Sequence, residues 1–153
     1  MLKRVRTIAD LQFGRGTGIM LFPDSCRFIR SRRGEVRQVI LEGKRVATLR
    51  AHDGRLTLGL TGGERLFSIL KSPGNRVIVK DDVASFISSG KNLFCRHVIR
   101  CDQTIHAGDE VIMEDETGQF LAIGEAVLSG DEMIAFETGV AVSVRHGKEQ
   151  ENH

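Results

Sequence analysis

The sequence predicts an α+β protein in which an N-terminal antiparallel β meander with flanking helices precedes a nearly closed β barrel with two short helices. Three observations support this prediction. Turn signals recur between strand-length apolar runs in the first half. Short segments of alternating apolar residues fill the second half, with helical spacing in only two places. Ser72-Pro73-Gly74 separates the two patterns and breaks any regular structure.

The first half begins with a predicted helix over Lys3 to Phe13, whose apolar residues follow a helical stripe and which ends at Gly14. Turn pairs at Arg33-Gly34, Glu42-Gly43 and Asp53-Gly54 separate the runs that follow. These runs predict a meander and a covering helix, with strands at Arg27 to Ser31, Val36 to Leu41, Arg45 to Arg50 and Leu56 to Leu60 and the helix at Glu64 to Leu70.

The second half begins with a predicted strand at Val77 to Lys80. A short helix follows, with Val83, Phe86 and Ile87 at the spacing of one face and Gly90 as its end. The remaining elements are a strand over Lys91 to Cys101, a hairpin between Met113 and Gln119, a helical turn at Asp131 to Met133 and a final strand over Val140 to Val144. We therefore predict a basic α+β domain at 1–73, a barrel domain at 74–148 and a frayed tail at 149–153.

Charge is divided unevenly between the two halves. Residues 1–75 hold 15 Lys and Arg against 6 Asp and Glu, whereas the remainder holds 7 against 14. Such a basic half indicates an anionic partner, of which nucleic acid is the commonest. The alternative is that the opposite charges help the two halves to dock.

Composition favours an ordinary globular protein of the cytoplasm. The three cysteines show no framework spacing, and no apolar run approaches the roughly 20 residues that span a bilayer. Cys95 and Cys101 are too far apart on an extended strand to share a metal ion readily, so we expect buried thiols, no metal and no cofactor.

A colinear series of segments resembles a known family. GKNLFCRHVI, GDEV at Gly108 to Val111, LAIGEAVLSG at Leu121 to Gly130 and the closing GVAVSVRHG resemble a PUA domain. IADLQFGRGTGIMLF at Ile8 to Phe22 resembles the region that precedes the PUA domain in archaeal archaeosine tRNA-guanine transglycosylases. The resemblance implies an RNA-binding β pseudo-barrel. Those enzymes also carry a large catalytic barrel, for which 153 residues leave no room, so we expect the tRNA-holding part without the chemistry.

The leading candidate RNA contacts lie on the predicted strand after Gly90. On an extended strand Phe94, Arg96 and Arg100 share one face with Val98, and Lys91 comes just before it. Cations neutralise phosphates, and an exposed aromatic ring stacks on bases. The alternative is a bulge that turns Phe94 inward and leaves the arginines as solvated charges. The PUA resemblance further implies RNA close to the backbone of Gly90, with Lys80 and Arg145 flanking the same edge.

A second candidate surface is the arginine-rich hairpin of the first half, in which Arg30, Arg32 and Arg33 lie between Arg27 and Arg37. The planar guanidinium fork suits phosphate, although a solvated hairpin face explains the pattern equally well. Gly14 to Gly18 lacks the context of a nucleotide-binding loop and is interpreted as a flexible turn. The acids Asp109, Glu110, Asp115 and Glu116 are interpreted as a solvated hairpin tip.

These observations predict a non-catalytic RNA-binding protein. By the resemblance, the RNA is tRNA, held at its acceptor stem and 3′ end in connection with tRNA modification, and a separate catalytic subunit is a further expected partner. The alternative is a protein-interaction adaptor on which Phe94 and Val98 dock a partner. An enzyme ranks last, because only the acidic cluster supports one.

Overall fold

The chain forms two compact units in a computed structural model that describes residues 1–150. One unit comprises Met1–Ile69 and the other begins at Leu70. The predicted α+β class is confirmed, because the first unit holds a four-stranded antiparallel sheet and the second a nearly closed six-stranded pseudo-barrel.

The first unit is an antiparallel meander with helices packed on it. Its sheet has the order β1-β2-β3-β4, as the recurring turns predicted. The strands are β1 (Arg27–Arg30), β2 (Val36–Leu41), β3 (Lys44–Leu49) and β4 (Leu56–Leu58). The helices are α1 (Leu2–Phe13), α2 (Thr17–Leu21) and α3 (Leu60–Ile69).

Helix α2 is absent from the sequence prediction, which treated this glycine-rich segment as a flexible turn. Gly18 donates its backbone N–H to the Asp10 carboxylate at 2.7 Å. A Cβ atom at Gly18 would lie 2.1 Å from the Arg6 carbonyl oxygen, so only glycine allows this contact with α1. Tertiary packing therefore overrides the low helix propensity of glycine.

The second unit contains a six-stranded sheet in the order β6-β10-β9-β8-β5-β7. Its pairs are antiparallel except for β5 and β8, which run parallel. The strands are β5 (Arg76–Val79), β6 (Leu93–Phe94), β7 (Val98–Cys101), β8 (Glu110–Glu114), β9 (Phe120–Ala126) and β10 (Val140–Gly147). The barrel core includes Val79, Leu93, Val111, Ala122 and Val142, and the partly buried Cys101 of β7 packs against it.

Two short helices belong to this unit. Helix α4 (Ala84–Ser88) follows a 3-10 turn at Asp81–Val83. Helix α5 (Gly130–Ala135) begins with a capping box, in which Ser129 and Glu132 each accept the backbone N–H of the other. This cap explains the helical turn predicted near Asp131.

The single strand predicted over Lys91 to Cys101 is wrong. A 3-10 turn at Cys95–His97 divides it into β6 and β7. Alternation holds up to this turn, because Leu93 and Cys95 are buried whereas Phe94 and Arg96 are exposed. Beyond it the register changes, so that Val98 packs against the barrel core and does not share the outer face with Arg100.

Within residues 1–150, none of the helices is long and apolar enough to cross a membrane.

The first two residues of the predicted tail are hydrogen-bonded and not frayed as expected. Glu149 donates its backbone N–H to the Ser88 carbonyl at 2.8 Å, and Gln150 donates its own to Gly147 at 3.1 Å. The rest of the predicted tail, 151–153, lies outside the described residues.

Candidate nucleic-acid interface

A surface cleft of about 530 Å³ lies in the second unit between the helical segment and the strand turn that follows it. The helical side contributes Phe86 and Ile87, and the other side contributes Phe94 and Arg96. The further lining residues are Asp82, Val83, Lys91, Asn92 and His97. Three of the predicted RNA contacts, Lys91, Phe94 and Arg96, therefore meet in one concave surface.

Two phenylalanine side chains are exposed in this cleft. Phe94 is 43% exposed and Phe86 is 57% exposed, although both are large apolar residues. The prediction that Phe86 shares the core-facing side of the helix is wrong. Ala84 and Ile87 occupy that side, and Phe86 lies about 100° around the helix from Ile87. Phe86 is thus the aromatic ring that sequence reasoning missed.

The cations of the cleft stand beside these rings. The guanidinium carbon of Arg96 lies 6.0 Å from the centroid of the Phe94 ring, at the outer limit of a cation–π contact. Arg96 and Lys91 are exposed, and Asp82 is the one carboxylate among the lining residues. The cleft thus combines aromatic faces with a net positive charge, which are the two elements of single-stranded nucleic-acid binding surfaces.

The backbone around Gly90 is covered by the end of the described chain. A Cβ atom at Gly90 would lie 2.9 Å from the Gln150 side-chain carbon, so the Gln150 carboxamide rests on this glycine. Its Oε1 atom accepts the Gly147 N–H at 3.1 Å, which fixes the amide there. Gly147 also packs closely, since a Cβ on it would lie 2.2 Å from the Ser88 carbonyl oxygen. A ligand that approaches Gly90 must therefore meet Gln150.

Lys80 and Arg100 lie near the cleft without lining it. Lys80 follows β5, and its backbone N–H donates to the His97 carbonyl at 3.0 Å. Arg100 is exposed on β7, where it pairs with Ile78. Both side chains are accessible to a ligand larger than the cleft, and their roles as RNA contacts stay predictions.

Arg145 has a structural role that the sequence did not indicate. Its two terminal nitrogens donate to the two carboxylate oxygens of Glu110, whose side chain is only 2% exposed. The interpretation of Glu110 as part of a solvated hairpin tip is therefore wrong. Burial of a carboxylate requires such a charged partner, so this ion pair fixes β10 to the start of β8. As an RNA contact, Arg145 stays a prediction.

Of the remaining acids, Asp109 and Asp115 stabilise local turns, whereas the Glu116 carboxylate accepts the backbone N–H of Asp81 at 2.9 Å. Asp115 accepts hydrogen bonds from Thr117 and Gln119 in the β8–β9 hairpin. Burial alone would raise the pKa of the Asp115 carboxyl, but these hydrogen bonds outweigh it and lower that pKa.

Burial raises the pKa of the Cys95 thiol in the barrel core, which keeps this cysteine unreactive.

The predicted arginine contacts of the first unit lie in the β1–β2 hairpin. Arg32 and Arg33 are exposed in its turn, and Arg30 donates to the Gly34 carbonyl at 3.0 Å. The turn is closed by backbone hydrogen bonds between Ser31 and Glu35 and between Gly34 and Ser31. The hairpin thus presents several guanidinium groups to solvent, and their contact with RNA stays a prediction.

Comparison with known families identifies both domains of the chain. Residues 3–73 match the patch-forming domain C2 of tRNA-guanine transglycosylase, and residues 75–148 match the PUA domain. The chain is therefore a PUA-domain protein. More particularly, its two domains correspond to the C-terminal quarter of archaeal tRNA-guanine transglycosylases, which confirms the resemblance drawn from the sequence.

The similarity extends over nearly the whole chain but over a small part of its relatives. The tRNA-guanine(15) transglycosylase of Thermococcus kodakarensis is 40% identical over 148 residues, covering 97% of this chain and 25% of that enzyme. Two solved structures share the fold. A hypothetical protein of Pyrococcus horikoshii has a TM-score of 0.74 at 20% identity, with 98% of this chain and 91% of that one covered. A PUA domain protein of Thermoplasma acidophilum has a TM-score of 0.66 at 19% identity, with 97% and 89% covered.

Proposed function

We propose that this protein is a non-catalytic RNA-binding protein that holds tRNA by its acceptor stem and 3′ end in connection with tRNA modification. The observation that carries the proposal is the cleft with Phe86 and Phe94 exposed beside Lys91 and Arg96. Exposed rings in a cationic cleft suit unpaired nucleotides, because stacking accepts any base while cations neutralise the backbone. The 3′ end of tRNA is single-stranded and meets this requirement.

Membership of the PUA family supports the RNA ligand, and the similarity to tRNA-guanine transglycosylases supports tRNA. The matched region spans about a quarter of the enzyme from Thermococcus kodakarensis. We propose that a separate subunit supplies the catalytic barrel and that this chain presents the tRNA to it. Cytoplasmic localisation stays a prediction.

The test is equilibrium binding of tRNA to the full chain over a range of salt concentrations. We expect log Kd to rise linearly with log salt, and Arg96→Ala to reduce the slope by about 0.7 to 0.9, one phosphate contact. Lys71→Ala is the control, since Lys71 is an exposed cation of the same unit outside the cleft. Removal of the unpaired 3′ nucleotides should weaken binding to the wild-type chain. Affinity that is insensitive to salt and to the 3′ end would contradict the proposal.

The non-catalytic part of the proposal has a separate test. Incubation of tRNA with the chain alone should leave the nucleoside composition unchanged by mass spectrometry. A modified or exchanged base would show that the chain is itself an enzyme.

A protein-interaction adaptor is the second candidate, favoured by the same exposed phenylalanines. The sequence pattern groups Val98 with Phe94 as docking residues, but Val98 packs against the core, so the exposed Phe86 takes its place in this alternative. An adaptor would retain its partner after nuclease treatment and at high salt, whereas an RNA-bridged complex would dissociate.

A further inference from the structure

The first unit contains a small polar cavity with no role in the cleft described above. It has a volume of about 220 Å³ and lies where α1, the start of β2 and the β3–β4 turn meet. Three arginines from these three elements line it, namely Arg4, Arg37 and Arg50. The arginine-rich hairpin predicted from the sequence shares only Arg37 with this set.

Two of the guanidinium groups are available for a ligand. Arg4 is exposed and, within residues 1–150, its side chain donates no hydrogen bond. Arg37 lies 4.0 Å from the nearest Glu35 oxygen, which is beyond hydrogen-bonding distance. The Glu35 side chain is 68% exposed, so it is free to turn away into water. Both arginines therefore have unsatisfied donors facing a concave surface.

The third guanidinium is held in a fixed orientation. Arg50 donates through Nε at 3.1 Å and Nη2 at 2.8 Å to the two oxygens of Asp53. Asp53 is itself fixed by the backbone N–H of Arg55 at 3.0 Å. The Arg50 side chain is only 18% exposed, and its Nη1 group makes none of these bonds. The Asp53 carboxylate, which is 33% exposed, thus orients Arg50 and leaves one edge of its fork for another acceptor.

The charges in and around this cavity sum to a positive value. Three arginines face two carboxylates, those of Glu35 and Asp53, and Asp53 is already occupied by Arg50. Convergent guanidinium groups around a space of this size suit a compact anion with several acceptor oxygens. Phosphate has that chemistry, and arginine binds it through paired donors.

We propose that Arg4, Arg37 and Arg50 form a phosphate-binding site in the first unit, which takes a backbone phosphate of the bound RNA. The RNA source of the phosphate rests on the proposed function, whereas the site itself does not. A free phosphate group is the other source of the same chemistry.

The experiment uses the full chain and two variants. The double variant R4Q/R37Q removes the two available guanidinium groups, and R15Q is the matched control, since Arg15 is an exposed arginine of the same unit outside the cavity. The first arm titrates inorganic phosphate against chloride at equal ionic strength and follows backbone amide shifts by NMR. The second arm measures tRNA affinity over a salt series, and thermal melting confirms that each variant folds.

We expect saturable shifts at 35–37 and 49–54 in the wild type and R15Q, and their loss in R4Q/R37Q. We expect R4Q/R37Q to reduce the salt slope of tRNA binding by about 0.9 more than R15Q does, if the pair neutralises one phosphate. Phosphate shifts without an effect on tRNA binding would overturn the RNA source. If R4Q/R37Q behaves like R15Q in both arms, the site is overturned. A wild-type chain that binds phosphate but no tRNA would refute the proposed function and leave the site standing.

Discussion

Truncation of Phe86 is the change in the cleft that best distinguishes an effect on RNA affinity from an effect on folding stability. This side chain is 57% exposed, lines the cleft and carries no charge. Stacking of one base on an aromatic ring contributes about 1 to 3 kcal/mol. If a base of the RNA rests on this ring, Phe86→Ala should raise Kd by about 5-fold to 150-fold.

The matched control is Phe136→Ala. Phe136 is 47% exposed at the end of α5 and is not a lining residue of the cleft. A fully buried Phe→Ala change costs about 3 to 5 kcal/mol, so two half-exposed rings should each cost about 2 kcal/mol. The two variants should therefore melt at similar temperatures, and only Phe86→Ala should weaken RNA binding.

The assay is fluorescence anisotropy with a tRNA acceptor-stem hairpin bearing an unpaired 3′ end, at a temperature where both variants are folded. Because phenylalanine neutralises no phosphate, the salt slope should stay at its wild-type value. Combining Phe86→Ala with Phe94→Ala tests whether both rings hold the same base, since a shared base makes the two losses less than additive. Equal affinities of Phe86→Ala and Phe136→Ala would refute the stacking argument.

Three further changes test other parts of the second unit. Glu110→Ala should destabilise the chain by about 3 kcal/mol, because it leaves Arg145 without its buried partner. The control Glu137→Ala, at an exposed site, should leave the melting temperature unchanged. Equal melting temperatures of the two variants would contradict a structural ion pair. Burial acts to raise the pKa of the Asp102 carboxyl, but hydrogen bonds from Thr104 and Asn75 lower that pKa below its usual 3.8. The ionised carboxylate therefore stabilises the fold above pH 3.8, and this stabilisation is lost as pH falls through the lowered pKa. The difference in unfolding free energy between wild type and Asp102→Asn should shrink in acid, and a difference that is constant with pH would contradict this expectation. Gln150→Ala should raise RNA affinity a few-fold by uncovering Gly90, and a loss of affinity would show instead that the carboxamide contacts the RNA.

The sequence pattern predicted the strands of the first unit well, because turns with glycine at positive φ separate them and such turns are typical of hairpins. Two of the errors arise from contacts that local pattern and propensity do not encode. Helix α2 depends on the Asp10 carboxylate and on close approach to α1, neither of which glycine propensity encodes. Glu110 and Arg145 are 35 residues apart, so no local signal marks their pairing.

The candidate site was also predictable only in part. Alternation along the strand placed Phe94 and Arg96 outward, and the PUA resemblance directed attention to Gly90. Phe86 was missed because its spacing from Val83 suits a helical face, whereas the tertiary structure packs Ala84 and Ile87 against the core and leaves Phe86 exposed. The spacing of Arg4, Arg37 and Arg50 gives no signal at all, since three separate elements bring them together.

The distribution of charge predicts how the two units divide the work of binding. From Leu70 onward the chain holds 8 Lys and Arg against 14 Asp and Glu. Two of these cations are held in structural pairs, Arg145 by Glu110 and Arg76 by Glu114 at 3.6 Å, with both Arg76 and Glu114 nearly buried. These two cations are less available for phosphate, so we expect stacking to contribute a larger share of the proposed RNA affinity in the second unit than in the first.

The first unit has the opposite balance, since residues 1–69 hold 14 Lys and Arg against 6 Asp and Glu. Its contacts should therefore supply most of the salt-dependent affinity. Arginine variants of the first unit should flatten the salt slope, whereas Phe86→Ala should shift the whole line without tilting it. A change of salt slope in Phe86→Ala, with none in the arginine variants of the first unit, would contradict this division of contacts.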